Sequence, residues 1–259
     1  KANSWTQNST TSLRWWDGRT SDMGSSFLFL SYLADKLGGP TGIRQLISNP
    51  SLGGNGIENM ARNPAPGSTP IGLTMSEIFA NFSAAITLDS DQGAFGFSEI
   101  DLVDDCSSGG FCRGVASAEN SDWSEAWQSS GHSLEGWGLK TFRFSDGDGY
   151  PLSILVQPDR FGFEGVVLSK EDSTGTWTME RLRIDSEDGR GTGLVNGFGN
   201  VTSEVWLLVW YNSLVDDCDF DFANCGVLSG GSYPTGSFSV SASQVTNPAE
   251  LTIETVQGF

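Results

Sequence analysis

The chain is 259 residues long, 37% of them hydrophobic and 18% charged, enough to bury a core in one large or two ordinary domains and too apolar for disorder throughout. Thirty-two Asp and Glu stand against 14 Lys and Arg, a formal charge of -18 that excludes a phosphate-tracking surface and with it a nucleic-acid partner. A single histidine, His132, excludes any site on this chain alone that needs two or three imidazoles, which removes the commonest catalytic zinc centres.

The longest apolar runs, Phe27 to Leu30 and Val205 to Tyr211, fall far short of the ~20 residues that cross a bilayer, so no membrane span is expected. The sequence opens at Lys1 without the basic head and apolar run of a signal peptide, as a mature or excised segment does, and a secreted or cell-surface location is expected. Only four lysines accompany many Asp, Gly and Ser residues. Such a surface fits a saline habitat, where salt screens its self-repulsion, or ordinary secreted acidity.

Helical signals occupy residues 22 to 88, within a helical lobe drawn as 1–90. Asp22 stands as an N-cap before Phe27, Leu30, Ala34 and Leu37, spaced i, i+3, i+7 and i+10, and Gly38-Gly39-Pro40 stops the helix. A short helix around Ile43 to Ile47 follows, then one opened by the capping pair Asn55 and Glu58. A last helix opens on Thr74 and Glu77 and buries Ile78, Phe79, Phe82, Ala85 and Ile86. Asn63-Pro64-Ala65-Pro66-Gly67 is a loop.

Past Gly93 the hydrophobic period changes from 3.6 to 2, and the segment drawn as 91–259 reads as β. Phe142 and Phe144, then Leu152, Ile154 and Val156, then Phe161, Phe163 and Val167 alternate between Gly, Pro and Asp turns. Trp177 and Met179 point one way but Leu182 and Ile184 the other, which predicts a bulge near Glu180. Val205 to Tyr211 is apolar on both faces, the pattern of a central strand, and Phe238 with Val240 and Leu251 with Ile253 supply the last strands. The fold class expected is therefore α+β: a small helical lobe followed by an antiparallel β-sandwich of jelly-roll type.

Four cysteines fall in two short loops, Cys106 to Cys112 and Cys218 to Cys225, each introduced by Val-Asp-Asp. Two local disulfides suit an oxidising compartment and close loops of low entropic cost. A four-cysteine zinc site competes, against spacings longer than the usual two to four residues, and four cysteines allow three connectivities. Asp146 and Asp148, and Asp89 and Asp91, offer hard oxygen ligands on Gly-containing turns suited to calcium, as does the run Asp185 to Gly189. The competing reading is turn chemistry without a metal. Sequons at Asn8, Asn81 and Asn200 are candidate glycosylation sites, Asn81 inside a helix. Trp123, Trp127 and Trp137 either meet a glycan or a partner or pack in the interior. His132, in Ser129-Ser130-Gly131-His132-Ser133, reads as a loop histidine. No Gly-x-Ser-x-Gly elbow supports a serine hydrolase.

Trp15-Trp16 and the stretch Asp22-Met23-Gly24-Ser25-Ser26-Phe27-Leu28-Phe29-Leu30-Ser31-Tyr32-Leu33-Ala34-Asp35-Lys36-Leu37-Gly38-Gly39 resemble secreted zinc metallopeptidases of the immune-inhibitor and hyicolysin type. The matching part there is the helix after the active-site helix. Gly56-Ile57-Glu58-Asn59-Met60 and Ile78-Phe79-Ala80-Asn81-Phe82-Ser83-Ala84-Ala85 continue the likeness in the same order, over about residues 15 to 90. The resemblance implies a helical lobe followed by a β-sandwich that supports or targets proteolysis; the partner expected for the chain is a protein or a glycan substrate. The family's His-Glu-x-x-His motif precedes the matched segment and is absent from this chain, so no catalytic residue carries over. Zinc would bind only with ligands from an upstream peptidase segment of the same precursor. The alternatives are a non-catalytic extracellular binding or surface-anchoring module, or a subunit of an extracellular assembly.

Overall fold

Helices occupy the N-terminal part of the chain and two largely antiparallel sheets the rest, an α+β fold with a small helical lobe followed by a β-sandwich. A computed structural model describes residues 2–13, 19–51, 53–90, 93–103, 111–112, 119–120, 123, 125–212 and 235–246. Packing divides the chain into two units. The first is Lys1–Val115 with Glu135–Gly138 and Ser213–Pro234; the second is Ala116–Leu134 with Leu139–Asn212 and Thr235–Phe259.

The first unit holds α1 (Ala2–Thr6), α2 (Thr20–Lys36), α3 (Gly39–Ser48), α4 (Gly53–Arg62) and α5 (Met75–Leu88). It also holds a short parallel pair, β1 (Leu102–Val103) with β2 (Phe111–Cys112). α5 opens as its sequence requires: the Glu77 N–H donates to Thr74 Oγ1 at 3.2 Å and the Thr74 N–H to Glu77 Oε2 at 3.0 Å, a reciprocal capping box. Ten of its 14 residues are buried, which makes it the central helix. Phe82 is the hub, with Trp5 stacked on it at 5.8 Å, Phe29 edge-on at 5.1 Å and Tyr32 tilted at 5.6 Å.

Two expected caps lie elsewhere. α2 begins at Thr20, so Asp22 sits inside its first turn, where the buried carboxylate accepts the Arg19 N–H at 2.9 Å and Arg19 Nε at 3.1 Å. A first-turn acid satisfies the orphan donors of a helix start from within. α4 begins at Gly53, ahead of Asn55, and Glu58 instead accepts the Met75 N–H at 2.8 Å and Arg62 at 3.0 Å. The face of α2 also differs from the i, i+3, i+7 series. Leu28, Tyr32 and Leu33 are fully buried, while Phe27 and Leu30 are 47% and 54% exposed. In so apolar a helix several stripes match the same period. Gly38, at φ 89°, ends α2, and a Cβ there would stand 3.1 Å from that of Ala65.

The remaining strands are β3 (Glu119–Asn120), β4 (Trp127–Glu135), β5 (Leu139–Ser145), β6 (Leu152–Pro158), β7 (Phe163–Glu171), β8 (Trp177–Arg181), β9 (Arg183–Ile184), β10 (Gly191–Val195), β11 (Thr202–Tyr211) and β12 (Thr235–Gln244). They form two five-stranded sheets, ordered β4-β12-β6-β10-β9 and β3-β5-β11-β7-β8. β3 pairs with β5 in parallel at one edge, whereas β5–β11, β11–β7, β7–β8, β12–β6, β6–β10 and β10–β9 are antiparallel. Phe142, Phe144, Ile154, Val156, Val205, Leu207, Val209, Phe238 and Val240 form the core of this unit. β11 is the central strand of its sheet, as its two-sided apolar pattern requires, and Leu208 and Trp210 on its other face are fully buried too.

The side-chain reversal around Glu180 has a different origin from the expected bulge. β8 belongs to one sheet and β9 to the other, so the chain crosses the sandwich at Leu182. Leu182 is 6% exposed and fills the space left by glycines: a Cβ on Gly165 would lie 2.7 Å from Leu182 Cδ1, and one on Gly193 3.0 Å from Cδ2. Phe161, read as part of a strand, precedes β7 and is 60% exposed. Leu251 and Ile253 lie outside the described residues. No helix among the described residues is long and apolar enough to cross a membrane.

Candidate functional site

His132 lies on β4, not in a loop. Gly131 takes φ 76° and resets the strand's alternation, so that Trp127, Ser129, His132 and Leu134 all turn inward. The imidazole packs against Phe142 at 5.0 Å and Phe238 at 5.3 Å, and Ser129 Oγ stands 2.8 Å from Nε2. Burial, and secondarily the Lys140 ammonium, hold its pKa below the ordinary 6.5. Among the described residues no carboxylate orients the ring, so within them the Ser129–His132 pair has no third member of the kind a serine nucleophile uses.

The acidic turns divide by role. Asp185 to Gly189 is a hairpin turn between β9 and β10: the Glu187 N–H donates to Asp185 Oδ1 at 2.7 Å and the Gly189 N–H to the Asp185 carbonyl at 2.9 Å. Asp146 and Asp148 are exposed on the connection from β5 to β6, which passes from one sheet to the other rather than closing a hairpin. Asp146, at φ 57°, accepts from Ser145 Oγ at 2.8 Å. Asp89 ends α5 at φ 44° and lines a cavity of about 300 Å³ with Phe97, Ser98, Glu99, Ile100 and Asp101. Its Oδ2 accepts the Leu102 N–H at 2.6 Å, which folds the following loop back onto the helix. No group of three or more His, Cys, Asp or Glu side chains converges among the described residues. Asp91, Cys106, Cys218 and Cys225 lie outside the described residues, as does the Cys112 side chain.

The three sequons occupy different settings. Asn8 and Asn200 are exposed. Asn81 spends both amide hydrogens within the first unit, on the Ile71 carbonyl at 3.1 Å and the Glu77 carbonyl at 3.0 Å.

Trp123, Trp127 and Trp137 each pack against other aromatic rings. Trp123 is 9% exposed, donates to the Ser145 carbonyl at 2.9 Å and meets Phe198 edge-on at 5.2 Å. Trp127 packs edge-on against Phe142 and Phe144, and Trp137 against Phe79. Large aromatics beside apolar strands gain more from burial than from exposure.

Two other tryptophans form a partly open face. On the side of the β3-β5-β11-β7-β8 sheet away from the core, Arg143, Trp206, Leu168 and Met179 lie in one cross-strand row and Ser145, Glu204, Lys170 and Trp177 in the next. The Arg143 guanidinium stands 5.8 Å from the Trp206 ring centre and the Lys170 ammonium 5.7 Å from that of Trp177. Glu204 Oε1 accepts both Arg143 Nε at 2.7 Å and Trp206 Nε1 at 2.9 Å. Arg181 pairs with Glu164 at 3.6 Å on the same face. Trp206, Trp177, Met179, Glu204 and Lys170 are half-buried, whereas Leu208 and Trp210 further along β11 are closed off. The signal for this face is the cross-strand register, which places residues 143, 170, 177, 204 and 206 together and which local periodicity does not contain.

No protein-family model matches the chain, and no curated protein matches it. Among solved structures it is similar to the pre-peptidase C-terminal domain of a collagenase from Bacillus anthracis, with 12% identity and a TM-score of 0.28 over 46% of this chain and 87% of that one. It is similar also to the Yersinia pseudotuberculosis-derived mitogen, with 12% identity and a TM-score of 0.30 over 48% and 88%. A third is the Salmonella Typhimurium periplasmic lysozyme inhibitor PliG, with 13% identity and a TM-score of 0.27 over 48% and 94%.

Proposed function

We propose that the chain is the C-terminal portion of a secreted metallopeptidase-like protein, without a zinc site of its own, whose sandwich supports or targets proteolysis. The observation that carries this reading is the helix series. α2, α3, α4 and α5 follow one another over the stretch that resembles the immune-inhibitor type, α2 closes at its glycine pair, and Phe82 of the last helix packs against Phe29 and Tyr32 of α2. The ligand arithmetic is consistent with it, since the single histidine is packed against two phenylalanines of the sandwich and zinc hydrolysis needs typically three protein ligands and a general base. In this reading the upstream segment of the precursor supplies them.

Casein or a quenched peptide, incubated with the purified 259 residues with and without zinc and a chelator, tests this. No chelator-sensitive turnover is expected, and a His-Glu-x-x-His motif is expected in the coding sequence upstream. Turnover that the chelator abolishes, or an upstream sequence without the motif, overturns the reading.

A second reading, a non-catalytic extracellular binding or anchoring module, is favoured by one observation: the half-buried Trp206 and Trp177 with Glu204 and Lys170 on the outer sheet face. It needs no upstream peptidase.

A further inference from the structure

We infer that this outer face binds a neutral polysaccharide, with Trp206 and Trp177 as stacking platforms and Glu204 and Lys170 as the polar pair that orients a sugar ring. The inference rests on the binding-module reading and is independent of the peptidase one. The two indoles sit two strands apart with one row of offset, about 10 Å across the sheet, and point to the same side. A chain of pyranose rings laid over the face would offer its C–H surfaces to both, the kind of amphipathic contact indoles make well.

The polar groups complete the fit. Glu204 uses one oxygen, Oε1, for both Arg143 and Trp206; among the described residues Oε2 accepts no hydrogen bond. Lys170 stands directly across from Glu204 in register and makes no ion pair among the described residues, its contact being the Trp177 ring. An acceptor beside a donor matches two neighbouring hydroxyls, one donating to the carboxylate and the other accepting from the ammonium.

Charge selects the neutral class. Of the three cations that the described residues place on this face, Arg143 is committed to Glu204 and Arg181 to Glu164. Among the described residues only Lys170 is left to counter a polyanion, against a chain whose formal charge is -18. A neutral sugar satisfies Glu204 and Lys170 without adding charge.

Affinity electrophoresis of the full chain tests this, with laminarin, xylan, hydroxyethylcellulose and chitohexaose as neutral probes and alginate as the acidic one. Retardation by at least one neutral probe is expected. Trp206→Ala, Glu204→Gln and Lys170→Met should each weaken it about tenfold or more, with unchanged circular dichroism. Should Trp206→Ala fail to fold, the near-isosteric Glu204→Gln and Lys170→Met carry the test. Binding of alginate alone, lost in Trp206→Ala, overturns the neutral class and leaves the binding module standing. Absence of binding to every probe overturns both. Neutral binding that survives all three substitutions places the ligand elsewhere and overturns the inference.

Discussion

His132 shows how one residue ties the sandwich to pH. Its folded pKa lies below the ordinary 6.5, chiefly through burial and further through Lys140, so as pH falls the unfolded chain takes up this proton first. The stability it contributes is whole above about pH 6.5 and is lost as pH drops toward the folded value. The described groups that face it are Ser129, Phe142, Phe238 and Lys140, none of which supplies a compensating negative charge. Thermal melts from pH 7.5 to 5.5 should therefore fall more steeply for the wild type than for His132→Gln, and parallel slopes would show that the imidazole is not the sensor. Asn81 makes a second prediction at this scale. Its amide is spent on two carbonyls, whereas Asn8 and Asn200 are exposed. Expression in a glycosylating host should load Asn200 or Asn8 and leave Asn81 bare, as peptide mass mapping would show.

At the scale of elements, the crossing at Leu182 carries a load that no single strand pattern reveals. The side chain occupies the space above Gly165, Gly191 and Gly193, so Leu182→Ala leaves a cavity at the seam between the sheets and should cost about 2–5 kcal/mol. Gly193→Val drives a branched chain into Leu182 and Val167, 2.9 Å from its Cγ2, and should cost about 1–3 kcal/mol by overpacking. Chemical denaturation of both variants measures this, and wild-type midpoints would mean that the seam is slack. The same element marks the limit of what sequence alone conveys. α5, β5, β6 and β11 were legible because their burial is one-sided or complete over several residues, which periodicity encodes directly. β4 and β10 were not, since a strand reading Trp-Gln-Ser-Ser-Gly-His-Ser-Leu-Glu breaks its alternation at a glycine and has few apolar positions, and β10 gives two of its three inward positions, Gly191 and Gly193, to Leu182, with Val195 as the third. The reversal at Leu182 was visible, but a bulge and a sheet crossing reverse side chains alike. The outer face of Trp206 and Trp177 was illegible for another reason: residues 143, 170, 177 and 206 meet only through pairing between strands distant in sequence.

For the molecule as a whole, the dominant fact is a formal charge of -18 over 259 residues. Like charges held together by folding raise the free energy of the compact state relative to the expanded chain, and the penalty shrinks as the Debye length falls from about 30 Å at 0.01 M salt to about 10 Å at 0.1 M. Salt also weakens the described ion pairs, such as Arg62 with Glu58, Arg160 with Asp159 and Arg190 with Asp188. These are exposed or half-exposed, and such pairs contribute only about 0–1 kcal/mol each, so screening of the net charge should win. The melting temperature is expected to rise by at least a few degrees between about 0.01 M and 0.5 M NaCl, and equally in KCl at the same ionic strength. Calcium separates the general effect from a local one. If Asp146 and Asp148 hold the ion, CaCl₂ at sub-millimolar concentration, where screening by the added salt is negligible, should lift the melt on top of a constant NaCl background, and Asp148→Asn should abolish that increment. A rise with NaCl alone would leave the acidic turns as solvated surface, and a melt that is flat or falls with salt would show that screening the ion pairs costs the fold at least as much as screening the net charge returns.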